Sequence, residues 1–310
     1  MYPLTSTLAP GDTAQHAPGM NGKLTTRPLG HTGLEVTPLG LAAQPVSSWG
    51  RRGAPALRAE DVERAFHEHG VNTFLVHSHM AEQCEGVRRL VRAGHRDALV
   101  LASEASVPLG GSVRRALDKQ LRAVETDHLD VWLMGWVRSR WYLRDSVWQQ
   151  MTRSKEQGLV RALGFSAHDR ALATSLAREM PIDVLMIRYN AAHRGAEREI
   201  FAPLSELGAA RPGIIAYTAT RWGALLAPLP ERGFARGMTG AECYRFVLGH
   251  PMVDTVWCAA RTPEELREDV EGVTAGPLDE ARVAEVRRFG DAVHQSARGG
   301  PRWMFGQSAE

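Results

Sequence analysis

Lysine is scarce in this sequence. The chain has 37 basic residues, and its only lysines are Lys23, Lys119 and Lys155. None of the three ends an apolar, strand-like segment, which is where an α/β barrel places its catalytic groups. Schiff-base chemistry, which needs a lysine at such a position, is therefore not expected.

Other absences narrow the class of protein. The 310 residues include 37 basic and 35 acidic side chains, and the net charge of +2 is too small for a surface that tracks phosphates. No apolar stretch approaches the roughly 20 residues of a membrane span, and the first residues lack the apolar run of a secretory signal. We expect a cytoplasmic globular protein that binds neither nucleic acid nor membranes.

Cysteine is also rare. Cys84, Cys243 and Cys258 lie far apart and form no CxxC pair for zinc or dithiol redox chemistry. Free cysteine behaves as a small hydrophobic residue, so we expect three reduced thiols in or near the core.

Strand-like and helix-like segments alternate from residue 27 onward. Short β-branched or apolar segments are followed by longer ones whose apolar residues recur every three or four positions, the pattern of βα units. Eight strands are predicted, at 39–43, 73–77, 99–103, 130–134, 162–165, 184–187, 213–216 and 255–258. Eight such units close most simply into a single α/β domain, a (β/α)8 TIM barrel with its active site at the C-terminal strand ends.

The same periodicity sets the predicted domain limits. Residues 1–24 have no hydrophobic pattern and are predicted to form a mobile extension. Residues 25–290 are predicted to form the barrel, and residues 291–310 a C-terminal tail. Ser112 is predicted to cap one helix, and Thr262 with Glu265 is predicted to form a capping box at another.

Seven segments, in order and spacing, resemble those of the aldo/keto reductases. They are 27–41 (RPLGHTGLEVTPLGL), 70–72 (GVN), 129–131 (LDV), 160–166 (VRALGFS), 188–190 (RYN), 215–217 (IAY) and 261–266 (RTPEEL). The resemblance covers roughly residues 26–290 and implies an N-terminal β-hairpin before the barrel. Details of residues 188–197, 218–223 and 241–246 resemble a divergent bacterial branch of that family.

The four residues with which that family reduces carbonyls are absent. Its members carry an Asp near the end of the second strand, a Tyr five residues later, a Lys ending the third strand and a His ending the fourth. The aligned residues here are Leu75, Met80, Glu104 and Gly135. By the resemblance the tyrosine protonates the carbonyl oxygen, and losing a positioned acid costs about 10²–10⁴ in rate. We therefore expect ordinary carbonyl reduction by the family mechanism to be nearly absent.

The cofactor side of the resemblance is better preserved. Tyr217 matches the tyrosine that stacks on the nicotinamide, Ser166 matches a carboxamide contact, and Arg261 matches the residue that meets the 2′-phosphate of NADP(H). Glu265 and Asp269 stand where the family often has Gln and usually has Asn, which adds negative charge near the adenosine.

Two further replacements remove hydrogen-bonding partners of the carboxamide, since Ala167 and Met186 stand where amide side chains are usual. Two hypotheses stay open: a functioning NADP(H) site, and an inherited pocket that is no longer used.

His77, His79 and Glu104 are the candidate catalytic residues. If the second strand stays extended, both histidines point to the barrel mouth, beside Glu104 on the neighbouring strand. A carboxylate raises the pKa of a paired imidazole and makes a competent acid–base couple. Two alternatives are that Glu104 pairs with Arg138 or Arg188, and that the three residues bind zinc with His168.

The later strands are followed by basic and aromatic residues. Arg194 and Arg221, beside aromatic rings, could clamp a carboxylate or a phosphate, or Arg194 could form a surface bridge with Glu197. The predicted substrate contacts are Trp136, Arg188, Asn190, Arg221 and Trp222.

Three functions of different class follow. The first is an enzyme that acts on a small molecule, either as an NADP(H)-binding oxidoreductase or by acid–base chemistry without a cofactor. The second is a cofactor-binding protein without chemistry. The third is a subunit that regulates another protein, a role known in this superfamily. The polar strand ends favour the first function, and the missing tetrad favours the other two.

Overall fold

Eight parallel strands close into a barrel in this computed structural model, which describes residues 22–42, 57–105 and 112–297. Neighbouring strands follow chain order, and the last strand pairs with the first to complete the ring. The barrel strands are β3 Leu39–Leu41, β4 Thr73–Leu75, β5 Val100–Ala105, β6 Leu129–Val137, β7 Val160–Ala167, β8 Val184–Arg188, β9 Gly213–Tyr217 and β10 Thr255–Cys258. The predicted (β/α)8 fold is confirmed.

Helices connect the strands and pack around them. They are α1 Ala59–His67, α2 Ala81–Arg92, α3 Val113–Val124, α4 Asp145–Glu156, α5 Arg170–Glu179, α6 Ala202–Ser205, α7 Gly240–Leu248, α8 Pro263–Thr274 and α9 Glu280–Ala297. In α3, Val113, Leu117 and Leu121 form one buried stripe against the barrel. The Ser112 hydroxyl accepts a hydrogen bond from the Arg115 amide at 3.2 Å, so the predicted cap is present. None of the described helices is long and apolar enough to cross a bilayer.

A short antiparallel hairpin, β1 Arg27–Pro28 and β2 Glu35–Val36, precedes the barrel as the resemblance implied. Leu29, Leu34 and Val36 of this hairpin are buried with the inward-facing residues of the strands. Gly30, at φ 51°, lies so close to the backbone of Gly213 that a side chain could not be accommodated.

Most strands end within three residues of the predicted position, and two of these differences affect the site. β4 stops at Leu75, where the Gln83 amide group donates to the carbonyl oxygens of Leu75 and Leu41, both at 2.7 Å. The chain then turns, and the Met80 amide donates to the His77 carbonyl at 2.7 Å. β6 instead runs on to Val137, because a β-bulge lets it keep pairing with β7.

The predicted domain limits need adjustment at both ends. Leu24, placed in the mobile extension, is buried in the core, and its amide donates to the His69 carbonyl at 2.9 Å. Residue 290 falls inside α9, which continues to Ala297 and packs on the barrel through Val293. The rest of the predicted extension and tail lies outside the described residues. The three cysteines are buried and free, as expected.

A ring of carboxylates and one amide joins the strands at the N-terminal end of the barrel. Each member lies just before, or within the first two residues of, an even-numbered barrel strand. It accepts a hydrogen bond, at 2.7–2.8 Å, from a backbone amide in or just before the preceding strand. The pairs are Asn72 with Thr37, Asp130 with Leu101, Asp183 with Leu163, and Asp254 with Ile214. This polar ring ties neighbouring strands together in pairs.

Basic side chains neutralise the three carboxylates of the polar ring. Asp130 contacts Arg96 and Arg161, both at 3.0 Å. Lys155 reaches Asp183 at 2.6 Å, and Arg211 binds Asp254 through two nitrogens, the closer at 2.6 Å. Buried carboxylates are tolerated only when paired and hydrogen-bonded in this way. At the N-terminal end of a barrel such residues serve stability rather than catalysis.

Replacing Asp254 by alanine should therefore destabilise the barrel strongly. The change leaves the Arg211 guanidinium and the buried Ile214 amide without their acceptor, which we expect to lower the free energy of unfolding by about 3 kcal/mol. Denaturant unfolding measures this difference. The control is Asp118→Ala, which breaks the exposed Arg114 bridge within α3 and should cost less than about 1 kcal/mol. Equal losses for the two variants would contradict the role given to the polar ring.

Candidate functional site

Three polar side chains from alternate strands meet inside the C-terminal end of the barrel. Glu104 on β5, Ser166 on β7 and Tyr217 on β9 continue the inward-facing rows that hold Ala102, Ala162 and Ile215 lower down. The Ser166 hydroxyl donates to a Glu104 carboxyl oxygen at 3.2 Å and accepts the Trp136 amide at 2.8 Å. The interior of the mouth is thus a connected polar layer.

Glu104 has the electrostatics of a proton donor. Burial raises the pKa of its carboxyl, and the single hydrogen bond from Ser166 only partly opposes that rise. Burial raises the pKa of Tyr217, and the charge of Glu104 adds to that rise. The protonated form of Glu104 is therefore favoured more than that of an ordinary glutamate.

Tyr217 pairs with a histidine. Its hydroxyl lies 3.0 Å from Nδ1 of His168, and the two rings meet edge to face with centroids 5.8 Å apart. Burial lowers the pKa of His168, and the charges of Arg188 and Arg138 lower it further, so the imidazole is neutral at physiological pH. Arg188, in register with Tyr217, supplies a positive charge beside this pair.

The predicted couple of Glu104 with His77 and His79 is wrong. β4 is no longer extended at these residues, which lie in the turn after Leu75 with their rings 4.0 Å apart. The pKa of His77 is lowered to about 4, chiefly by burial and then by His79 and Lys119, rather than raised by a carboxylate. Glu104 binds Ser166 instead, so the alternative bridges to Arg138 and Arg188 do not take its carboxyl either.

The zinc hypothesis gains no support. In the described ranges, no group of three or more His, Cys, Asp or Glu side chains is arranged to hold a metal ion. His168, one of the four proposed ligands, is hydrogen-bonded to Tyr217.

The residues that the resemblance aligns with the family tetrad have structural surroundings of their own. Leu75 packs against the apolar interior of the barrel, and Met80 is buried at the start of α2. Gly135 lies in the bulge of β6. With Glu104 as the exception, these side chains have no group that could exchange a proton.

Two of the predicted substrate contacts are buried structural links. Asn190 has no exposed surface, and its amide group donates to the Thr218 carbonyl at 2.8 Å and accepts the Ala192 amide at 3.0 Å. Arg221 is 4% exposed and donates to the Val293 carbonyl of α9 at 2.9 Å. Both side chains therefore position the loops after β8 and β9. They are buried in structural hydrogen bonds and are not placed to contact a substrate as predicted.

The predicted arginine clamp does not form. Arg194 turns to α9, where it binds Asp291 at 2.8 Å and two backbone carbonyls. Glu197 is held by Arg287 and by the Tyr189 hydroxyl, so the alternative bridge between Arg194 and Glu197 is also absent. The clamp fails because α9, which could not be placed from the sequence, provides partners for these charges.

Trp136 and Trp222 are the predicted contacts that stay exposed, at 48% and 61%. Both have left-handed backbone conformations, with φ 56° and 53°. Such angles cost a bulky residue about 1–2 kcal/mol and are uncommon outside functional sites.

Two residues that the resemblance assigns to the adenosine end of a cofactor site form an internal ion pair. Arg261 is bound by Glu265 at 2.6 Å, and the same carboxylate accepts the Arg261 backbone amide at 2.9 Å. Only half of the predicted capping box forms, because Thr262 caps the Glu265 amide while the Glu265 side chain reaches Arg261 instead of Thr262. Arg261 remains 59% exposed at its side chain and can still meet a phosphate.

Asp269 faces the protein interior. Its carboxyl accepts the Cys258 thiol at 3.5 Å and lies against Gly240, between α7 and α8. Burial raises its pKa to about 7, and the charges of Glu265 and Glu268 add to that rise against the opposing Cys258 hydrogen bond. A direct contact with an adenine, as the resemblance suggests, would require Asp269 to leave this position.

Converting Asp269 to the asparagine usual in the family should remove a pH-dependent penalty. Because the pKa in the folded state, about 7, exceeds the model-peptide value of 3.8, stability from this group is complete below pH 4 and is lost as pH rises to about 7. The gain in unfolding free energy from Asp269→Asn should therefore grow between these pH values and stay constant above them. Its ceiling is about 4 kcal/mol, from 1.36 kcal/mol per pKa unit.

Thermal or denaturant unfolding of both proteins from pH 4 to pH 9 measures this gain. Glu271→Gln, which changes an exposed acid of the same helix, should show no comparable trend. A gain from Asp269→Asn that is the same at every pH would show that the Asp269 carboxyl is already ionised in the folded protein.

Comparison with known structures places this geometry among related barrels. A Pseudomonas aeruginosa protein assigned to the aldo-keto reductases is 22% identical, with a TM-score of 0.62 over 82% of this chain and 97% of that one. The apo form of an aldo-keto reductase from Bacillus halodurans is 18% identical, with a TM-score of 0.66 over 86% and 96%. A thermostable aldo-keto reductase bound to the inhibitor epalrestat is 21% identical, with a TM-score of 0.65 over 85% and 99%. At these identities the likeness shows the fold alone.

The family itself is shown by sequence. No curated protein matches the chain. The model of the aldo/keto reductase family, however, matches residues 47–228, which is more than half of the sequence. The chain therefore belongs to the aldo/keto reductase family.

Proposed function

We propose that this protein is an NADP(H)-dependent oxidoreductase of a small molecule, in which Glu104 replaces the lost tyrosine as proton donor. The observation that carries the proposal is the polar layer at the mouth. There the buried Glu104 carboxyl, whose pKa is raised by burial, accepts a hydrogen bond from Ser166 on β7. β7 lies between β5 and β9, which ends at Tyr217, the residue that the resemblance aligns with the tyrosine stacked on the nicotinamide.

The described residues fit the cofactor in part. The Tyr217 ring is half-buried at the end of β9 and offers a stacking face, and the exposed Arg261 guanidinium can meet a 2′-phosphate once Glu265 yields. Ser166 fits less well, since it is 1% exposed and its hydroxyl already donates a hydrogen bond to Glu104. Its predicted carboxamide contact would need an exchange of partners. When bound, the reduced nicotinamide supplies a hydride to a carbonyl carbon.

Glu104 would complete the reduction by giving its proton to the carbonyl oxygen. Burial raises the pKa of this carboxyl, so its protonated form is more populated than that of an exposed glutamate. Afterwards the Ser166 hydroxyl, which already donates to it, stabilises the carboxylate that has formed. Solvent returns the proton to Glu104, and the hydride and proton together convert the carbonyl to an alcohol.

Tyr217 and His168 have a positioning role in this scheme. The hydrogen bond of 3.0 Å between them fixes the position of the tyrosine hydroxyl. Because burial raises the pKa of Tyr217 and lowers that of His168, both groups stay neutral and add no charge that would repel the reacting oxygen.

A second candidate is a cofactor-binding or regulatory protein without chemistry. Two observations favour it: the Ser166 hydroxyl is engaged within the protein, and Arg261 is held by Glu265. This candidate would leave the protein able to bind a dinucleotide or a protein partner but unable to turn over a substrate. A protein partner and a cytoplasmic location remain predictions.

With simple aldehydes and quinones, we expect NADPH oxidation to be at least about 10²-fold slower than is usual for the family, because Met80 and Gly135 cannot protonate the product. The activity that remains should depend on Glu104. Glu104→Gln keeps the hydrogen bond to Ser166 but cannot release a proton, so kcat should fall by a further ~10²-fold or more with KM nearly unchanged. The fall of the reduced-nicotinamide absorbance measures both rates.

Two results would refute this role for Glu104. One is turnover at ordinary family rates, which would mean that another acid is present. The other is a Glu104→Gln variant as active as the parent protein. No turnover of any carbonyl, with NADPH bound, would favour the second candidate.

Nicotinamide binding should prefer NADP(H) to NAD(H), because Arg261 can pair with the 2′-phosphate. Arg261→Ala should lower the affinity for NADP⁺ at least about tenfold, which corresponds to the loss of one charge-assisted hydrogen bond. It should leave the affinity for NAD⁺ unchanged. Glu265→Gln should raise the affinity for NADP⁺, since the 2′-phosphate no longer competes with a carboxylate for Arg261. Calorimetric titration of the parent protein and both variants gives these affinities, and equal affinity of the parent protein for the two dinucleotides would refute the assignment of Arg261.

A further inference from the structure

A β-bulge in β6 puts two residues opposite Ser166 of β7. Gly135 and Trp136 share that position, because the residues that flank them pair with those that flank Ser166, Met134 with Phe165 and Val137 with Ala167. A bulge interrupts the ladder of backbone hydrogen bonds and often lies beside an active site. The backbone amide of Trp136 donates to the Ser166 hydroxyl oxygen at 2.8 Å. The extra residue therefore directs a backbone amide at a side chain of the neighbouring strand.

The bulge holds Trp136 in an unfavourable backbone conformation. Its φ of 56° lies in the left-handed region, which a bulky residue rarely adopts. The indole gains little from this conformation, since it stays 48% exposed. Backbone strain persists only where the surrounding structure fixes it, and it is often part of how a site works. The strained conformation therefore serves to place the amide rather than to bury the ring.

The Trp136 amide decides which way the Ser166 hydroxyl points. A serine hydroxyl has a single proton to donate. Because its oxygen accepts the Trp136 amide, the proton is directed to the other side, where a carboxyl oxygen of Glu104 lies at 3.2 Å. In the described ranges these are the only hydrogen bonds of the Ser166 side chain.

Glu104 depends on this one hydroxyl. Ser166 is the only hydrogen-bond partner of its carboxyl in the part of the chain that the structure describes. Burial raises the pKa of Glu104, and the hydrogen bond from Ser166 opposes that rise. Hydrogen bonds in a chain polarise one another, so a hydroxyl that accepts an amide proton is a stronger donor to a carboxylate. The Trp136 amide, the Ser166 hydroxyl and the Glu104 carboxyl thus form a hydrogen-bond relay.

We propose that the bulge of β6 is a positioning device for the acid of this site: the Trp136 amide turns the Ser166 hydroxyl onto Glu104 and thereby sets how readily Glu104 releases its proton. For its use in catalysis the relay rests on the role of Glu104 as proton donor, proposed above. The relay itself can be measured without any turnover. It gives a function to the backbone of the bulge and not to the indole.

The titration of Glu104 tests the relay directly. NMR of protein with isotope-labelled glutamate carboxyl groups follows it, and Glu104→Gln identifies the signal by its loss. Replacing the Trp136 amide by an ester removes the donor and keeps the indole, so the midpoint should rise. Deletion of Gly135 removes the bulge by another route and should act in the same direction. Ser166→Ala, which removes the hydroxyl itself, should raise the midpoint most, by about one pH unit.

Three control variants keep the relay or lie outside it. Ser166→Thr retains the hydroxyl and should keep the midpoint of the parent protein. Trp136→Gly retains the amide but relieves the strain and removes the indole, so it should also leave the midpoint unchanged. Ser103→Ala removes a buried hydroxyl next to Glu104 on β5 that has no hydrogen-bond partner among the described residues, and it should have no effect.

The pH profile of kcat connects the relay to catalysis. If Glu104 is the proton donor, kcat falls as pH rises through the pKa of its carboxyl. In Ser166→Ala this falling limb should move to higher pH by the same amount as the NMR midpoint. A limb that stays in place, or a protein without turnover, while the midpoint moves would support the relay and refute Glu104 as the proton donor.

Two results would overturn the relay. One is an unchanged midpoint in both the ester variant and Ser166→Ala. The other is an equal rise in Trp136→Gly and in the ester variant, which would assign the effect to a general loosening of the bulge rather than to its amide. Neither result bears on the activity of Glu104→Gln, so the relay and the proposed function can fail separately. A melting temperature for each variant within a few degrees of the parent excludes misfolding as the cause.

Discussion

The mouth of this barrel depends on the polar ring at the opposite end. A side chain that begins one strand accepts a backbone amide of the strand before it, and this fixes how far the two strands slide past each other. A slip of one residue in β5 or β7 would turn Glu104 or Ser166 from the barrel interior to the helix layer. Asp130 and Asp183 therefore determine, from the far end of the strands, whether the polar layer exists at all.

The polar ring also explains how the C-terminal end of the barrel can hold residues with strained backbone conformations. Its buried carboxylates are satisfied by arginine, lysine and amide partners, so the N-terminal end contributes stability without chemistry. At the other end, Trp136, Thr218, Arg221 and Trp222 all have left-handed backbone conformations. Strain of this kind persists only when the surrounding structure fixes it, and the paired strands below provide that fixation.

The fold was predictable because its signal is local, and the site was not because its contacts are distant in sequence. Periodicity placed all eight strands, and the polar ring is itself legible as a repeated apolar, Asp or Asn, β-branched triplet at 71–73, 129–131, 182–184 and 253–255. The pairing of His168 with Tyr217 spans 49 residues and has no local pattern.

The errors at the site have the same origin. His77 and His79 were expected to share a side of an extended strand, but Gln83 binds the Leu75 carbonyl and ends the strand two residues earlier than predicted. Arg194 was expected to face a ligand, but α9 offers it Asp291. In each case a partner from another element overrides the local pattern. The resemblance aligned Ser166 and Tyr217 with two contacts of the same nicotinamide, and so predicted that both residues lie at the mouth.

The resemblance aligns Glu104 with the family's lysine and Leu75 with its aspartate, and the two positions have to be considered together. In the family pattern a buried lysine needs an acidic neighbour, and here Leu75 stands in place of that acid, so a lysine at residue 104 would be an unpaired buried charge. A glutamate lessens this penalty, because burial raises the pKa of its carboxyl and so favours the uncharged form. On this alignment, the residues at positions 75 and 104 are electrostatically compatible with each other.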